Sequence, residues 1–420
     1  DEVVKGRSSG PPLQEVKGGK ELRDENGQGC LMLVSEVAGL QDAAEVGRLL
    51  RLLRVLRRRF IEHGLEGWAV RSSAVNDIDS FLRKMELVMR EGGRGGYVLI
   101  VRRPGPGEGT DAAALAMVSL TAEVAFQAAL GPGTARAVLL ASGTLTPFGL
   151  LKKELGLARE EALVPVVTAE VGQNEGLRER LRVIAVGSVH GHRLNSTQSH
   201  RQRHLDEYLE SVGNVLASLL PAIPSGTLIF FPSHQQLQDA LCRWRASGIL
   251  DRERLGERPV VIGGEGSDAS AATTRYRKLA ASSSGAVLLT VMRGRCAEGS
   301  DFRDEAARAV VIVGVPYPGL DTEMKLKLEY ERGDGAGRAW YEAEAYRSVS
   351  QAAGRLLRHR HDYGCLLLLD ERFCRKPPEQ LSGWLREELN SAWKGSMQDQ
   401  ELKFVAAGLQ SFFATQSDKA

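Results

Sequence analysis

Four short segments carry residue types able to act on a phosphate. Gln351, Gly354, Arg355 and Arg358 fall at i, i+3, i+4 and i+7. On a helix that spacing puts an amide and two guanidiniums on one face, with the glycine leaving room for close approach. Guanidiniums match phosphate oxygens bidentately and do not deprotonate, which is what stabilising a transferring phosphoryl group requires. His359, Arg360 and His361 follow directly, so a solvated basic face is the alternative. Upstream, the run Arg293 to Phe302 combines Gly294 and Gly299, whose backbone N–H groups can turn outward, with the acceptors Glu298 and Asp301. A loop of that kind can hold phosphate and ribose together. Ser142-Gly143-Thr144 and Pro232-Ser233 complete the set, although hydroxyl, glycine and proline residues after an apolar run are also ordinary turn chemistry.

Each segment follows an apolar run or lies on a helical pattern. Beyond residue 135 the runs 138–142, 227–232, 259–263, 286–291, 309–316 and 365–370 are continuously apolar, as strands buried on both faces are. Helical patterns occupy 200–219, 234–246, 268–281, 320–331, 340–358 and 378–394. Alternation of this kind predicts an α/β fold, a parallel sheet with helices on both faces, and right-handed crossovers put its working edge at the carboxyl ends of the strands. Before it, 96–101 reads as a strand, 102–111 as a loop and 75–91 as a helix. Between 46 and 64, Leu49, Leu52, Leu53, Leu56 and Phe60 form one helical stripe and Arg48, Arg51, Arg54 and Arg58 another. That helix either faces a core with its arginines in water or offers them to nucleic acid or an acidic partner.

Composition excludes several classes. With 43% hydrophobic and 26% charged residues the chain is neither disordered nor fibrous. A net charge of +2 is too weak to steer a polyanion, which must be met by local basic clusters. Cys30, Cys242, Cys296, Cys365 and Cys374 never form a CxxC pair, against a disulfide framework or a cysteine-rich zinc site. His190 and His192, His200 and His204, and His359 and His361 have zinc-compatible spacings but no evident completing ligand, so no metal site is expected. No apolar run reaches the roughly 18 residues of a membrane span, and no membrane partner is expected.

In this order the four segments resemble motifs III, IV, V and VI of superfamily two helicases. The resemblance narrows to the iron-sulfur DNA helicases of the xeroderma pigmentosum group D class, in the branch of the Fanconi anaemia group J and telomere-elongation-regulator helicases. It runs from about residue 70 to 395, most densely in LLASGTLTPFGLLKKELG (139–156), VMRGRCAEGSDFRDEAARAVVIVGVPYPG (291–319) and WYEAEAYRSVSQAAGRLLRHRHDYGCLLLLDERF (340–373). It implies a RecA-like second motor domain over 158–395. Before that domain it implies a leader over 1–29 and, over 30–157, a mostly helical remnant of the first motor and arch; a C-terminal helix and tail occupies 396–420.

Carried over by motif, Arg355 and Arg358 would contact the γ-phosphate of ATP as arginine fingers and Gln351 would help close the cleft, with Gly354 leaving room for the nucleotide. Gly299, Asp301 and Glu298 would line the nucleotide side. Ser142 and Thr144 would couple hydrolysis to strand movement, and Pro232, Ser233 and Arg293 would lie near a single-stranded or forked DNA backbone. The resemblance implies ATP and Mg²⁺, 5′-to-3′ movement, DNA-repair partners and a nuclear location. The sequence departs from the family in having no GxxxxGK[ST], DEAH box or four-cysteine cluster. The glycine loop in VVIGGEGSD (260–268) lacks the lysine and reads as a turn. The expectation is therefore the C-terminal half of a helicase, inactive alone, whose full-length form carries the iron-sulfur cluster; the chain's start at Asp rather than Met agrees. The alternative is a non-catalytic nucleic-acid or partner-binding module.

Overall fold

The computed structural model describes residues 97–102, 114–130, 138–140, 145, 147–157, 176–251, 255–263, 268–294, 302–333, 337–359, 361–375 and 379–419, with helical positions at 48, 51, 52, 54, 55, 58 and 80. In chain order come β1 (Tyr97–Arg102), β2 (Ala114–Ser119), α1 (Glu123–Leu130), α2 (Phe148–Glu154), α3 (Leu177–Arg180), β3 (Leu181–Val189) and β4 (His192–Arg193). Next are α4 (Gln198–Leu219), β5 (Gly226–Phe231), α5 (His234–Ala246), β6 (Val260–Ile262), α6 (Asp268–Ala280), β7 (Ala286–Val291) and β8 (Ala309–Val313). The chain continues with α7 (Thr322–Gly333), α8 (Gly337–Ala353), β9 (Gly364–Leu369), α9 (Gly383–Ser391), β10 (Trp393–Met397) and α10 (Asp399–Lys419).

Two compact units result. One holds residues 1–139, 152–163 and 320–337. In it β1 and β2 form an antiparallel pair, Tyr97 opposite Ser119, and Leu120 and Leu326 make a small buried contact. Lys153 Nζ reaches the buried Glu331 at 2.7 Å. Among the basic stripe, Arg48, Arg51, Arg54 and Arg58 are helical and exposed. Leu52, expected on a buried stripe, is 61% exposed; the other stripe members, and all of 75–91 except Ser80, lie outside the described residues.

The second unit is built on a sheet of order β10-β3-β9-β8-β5-β7-β6, parallel throughout, with β4 antiparallel on β3. Every residue of β5, β7, β8 and β9 is buried. Side chains alternate between faces along each strand, and two cores follow. Ile229, Val311, Leu289 and Leu367 join α4, α5 and α10 on one face. Leu228, Val310, Leu288 and Leu366 join α6, α8 and α9 on the other. This is the expected α/β architecture, helices on both faces of a parallel sheet.

Several expectations are corrected. Residues 138–140, read as a strand, have no regular structure, and Leu139 is 93% exposed; no neighbouring strand takes up that run among the described residues. The helix read over 378–394 is shorter, and its end becomes the edge strand β10. β3, the second strand in from that edge, was not anticipated, since Arg182, Gly187 and Ser188 interrupt its apolar run. The C-terminal helix α10 packs Leu402, Val405, Leu409, Phe412 and Phe413 into the first core, each such side chain contributing about 1.5–3 kcal/mol by burial.

A buried ionic network fastens the carboxyl ends of the strands. Asp370, completely buried after β9, accepts from Ser196 N at 3.0 Å and from Arg372 N, Nε and Nη2 at 3.0, 2.7 and 2.8 Å. Burial alone would lower the Arg372 pKa, but the carboxylate more than offsets this and raises it. Ser196 Oγ in turn accepts from Arg372 Nη2 at 2.6 Å and Val315 N at 3.3 Å. Gly314 has φ +79°, and a Cβ there would collide with Ser196. Gly314→Ala should therefore lower stability by about 2–4 kcal/mol, read as a shifted denaturant midpoint at unchanged slope. Asp370→Asn, which strips a buried guanidinium of its counter-charge, should cost about 3–5 kcal/mol in the same assay.

Candidate functional site

Since a doubly covered sheet leaves no exposed position in its central strands, the described candidate residues collect at its rims. At the carboxyl rim, Ser233 caps α5, its hydroxyl accepting from Gln236 N at 3.3 Å, and half-buried Pro232 precedes it. Two residues after β7, Arg293 adopts φ +60°, and its guanidinium donates to the carbonyls of Pro316 at 3.1 Å and Glu344 at 2.6 Å. It thus ties the end of β7 to the segment after β8 and to α8. Tyr317 and Tyr341 stack beside it, and burial raises both phenol pKa values, so both are neutral donors at ordinary pH.

Gln351, Gly354, Arg355 and Arg358 lie at the opposite rim. α8 leads into β9, so its last turn reaches the amino ends of the strands. The expectation of one working edge at the carboxyl ends is corrected accordingly. The single face of Gln351, Arg355 and Arg358 is corrected too: the α-helix ends at Ala353, Gly354–Leu356 form a 3₁₀ turn, and Leu357 leaves at φ −130°, ψ 83°. The cause is the buried Asp362. Its Oδ2 takes the N–H of Arg358 at 2.9 Å, pulling that residue out of the helical ladder. Arg308 holds the other carboxylate oxygen at 3.5 Å and stacks its guanidinium 4.0 Å from the Tyr363 ring centre. Arg358 and Gln351 are exposed, Arg355 is half-buried, and a Cβ on Gly354 would meet nothing within 4 Å. Among the described residues, that glycine answers no steric need. Ser142, Thr144, Glu298, Gly299 and Asp301 lie outside the described residues.

Sequence reasoning missed Phe302, Asp304, Arg308 and Asp362 at this rim and Ser196, Asp370 and Arg372 at the other. Only the charged residues directly after the apolar run of β9 gave a signal, since a carboxylate leaving a buried strand needs a partner. His359 Nε2 lies 2.9 Å from Asp304 and 3.5 Å from Asp362, the one trio among the described residues whose donor atoms gather as metal ligands might. Because Asp362 is already engaged by Arg308, the trio is better described as an ion-paired latch, and Mg²⁺, which takes carboxylate oxygens and water, does not fit it. An iron-sulfur cluster needs four thiolates. Cys242, Cys365 and Cys374 are free thiols on three separate elements, with burial raising the last two, and they do not fit one. Two guanidiniums, one exposed and one half-buried, at the end of a helix do have the chemistry to meet the terminal phosphate of a nucleotide.

Residues 216–388 match the family model described as helicase C-terminal domain. The chain is 36% identical over 269 residues to the regulator of telomere elongation helicase 1 homolog of Anopheles gambiae, covering 61% of this chain and 26% of that protein. The homolog from Caenorhabditis elegans is 31% identical over 274 residues, covering 61% and 27%. A solved structure described as XPD helicase aligns over 76% of this chain and 51% of its own at 20% identity, with a TM-score of 0.49. The chain spans about a quarter of the length of the curated relatives it matches. Residues 216–388 thus match a helicase C-terminal domain, and over 61% of its length the chain is similar to the regulators of telomere elongation.

Proposed function

We propose that this chain supplies the second motor of an ATP-dependent DNA helicase that maintains and repairs the genome in the nucleus, moving 5′ to 3′ on single-stranded or forked DNA. One observation carries the reading: within a matched helicase C-terminal segment, two arginines sit on a pinned turn at one rim and a capped helix start with a fixed arginine sits at the other. In this reading Arg355 and Arg358 contact the γ-phosphate and stabilise charge as it develops on the transferring group. Gln351 helps close the cleft, Gly354 admits the nucleotide, and Glu298, Gly299 and Asp301 line it. Pro232, Ser233 and the first N–H groups of α5 meet the DNA backbone. Arg293 acts by holding that rim, and Ser142 and Thr144 couple the two events.

Mg²⁺, when bound, neutralises charge on the β- and γ-phosphate oxygens. We assign its ligands, the phosphate-binding lysine and the iron-sulfur cluster to a first motor, so that this chain alone turns over no ATP. DNA-repair proteins are the expected protein partners.

In the complete two-motor enzyme, Arg355→Ala and Arg358→Ala should each lower kcat for ATP by roughly a thousandfold or more; unwinding at the parental rate would remove that residue from the mechanism. Gly354→Ala should leave thermal stability unchanged, because its Cβ meets nothing, yet slow turnover. For the chain by itself, single-strand affinity should fall steeply with salt in a titration followed by anisotropy. Binding indifferent to salt would contradict phosphate contacts at the carboxyl rim.

A further inference from the structure

Phe302 stands at the amino rim, the residue after Asp301 in the sequence, and it is completely buried. Its ring is met by two guanidiniums, Arg355 and Arg277 of α6, each with Cζ 5.7 Å from the ring centre. Tyr276 packs against it edge-on at 5.8 Å and 71°, with its hydroxyl anchored on the Ala306 carbonyl at 2.7 Å. The ring is therefore braced from α6 and from the turn leading into β8. A cation within about 6 Å of an aromatic ring centre is drawn to its quadrupole. A ring contact does not neutralise the guanidinium's charge, and it consumes none of its five N–H donors. That suits an arginine whose task is to meet a phosphate.

We propose that Phe302 is a positioning residue: its ring holds the Arg355 guanidinium in the orientation that phosphoryl transfer needs. The proposal rests on the reading of Arg355 as a γ-phosphate contact.

Two measurements test this. In the 420-residue chain, with labelled arginine, the Arg355 side-chain resonances should show an upfield ring-current displacement that Phe302→Leu abolishes and Phe302→Tyr keeps. In the complete enzyme, Phe302→Leu should lower kcat for ATP roughly 10- to 100-fold, as misplacement of a catalytic group by about an ångström does, with single-strand affinity unchanged. Phe302→Tyr should restore it. No ring-current displacement in the parent chain overturns the proposal, and so does Phe302→Leu turning over at the parental kcat. Should Phe302→Leu not fold, Phe302→Met, which keeps the volume and loses the ring, is read in its place. Parental turnover by Arg355→Ala would instead overturn the nucleotide reading, and the ring contact would still be seen in the spectrum.

Discussion

The sheet is buried on both sides, and this one constraint organises the rest. β5, β7, β8 and β9 leave no residue exposed, so a charged group within them would have to be desolvated without a partner. Polar chemistry is thereby driven to the strand ends, and each end must then satisfy what it gathers. At the carboxyl rim this is done by Asp370, Arg372 and Ser196, which link the ends of β8 and β9 to the segment after β4. At the amino rim Asp362 does it, joining Arg308, the N–H of Arg358 and His359. Both carboxylates are fully engaged, and they are better understood as fasteners than as acids or bases.

In the proposed reading, division into two rims lets one small domain meet two polyanions, nucleotide and DNA, on separate surfaces. At the amino rim the backbone N–H of Arg358 is bound by Asp362, and the Arg355 guanidinium lies against the Phe302 ring. At the carboxyl rim the conspicuous arginine, Arg293, spends donors on backbone carbonyls and shapes the surface. The stretch from Arg293 to Arg308 is the covalent path between the rims. Its far end is fixed by Arg308 N donating to Gly226 O at 2.9 Å.

Much of this was legible in the sequence for a physical reason. Strands buried on both faces must be continuously apolar, and five of the six runs so identified are strands of the sheet. β3 escaped because a strand near the edge tolerates Arg182 at the surface and Gly187 against Cys374. β10, with the sequence WKGSM, is an edge strand and carries almost no apolar signal. The run at 138–140 misled because apolarity alone does not supply a pairing partner. At the site, residue types and spacing identified Arg355 and Arg358, but their shared helical face did not survive. The contact that breaks it, Asp362 on the Arg358 N–H, joins residues whose pairing depends on where β9 begins. Phe302 gave no signal, since a buried aromatic reads as core until its two cations are seen.

The most direct test of the two-rim account is the salt dependence of single-strand binding by this chain and by its Arg355→Ala and Arg358→Ala forms. The account predicts identical affinities and identical slopes of log affinity against log salt, because neither arginine faces DNA. A slope shallower by about one for each arginine removed, as expected when a phosphate contact is lost, would contradict it and make the amino rim a nucleic-acid surface.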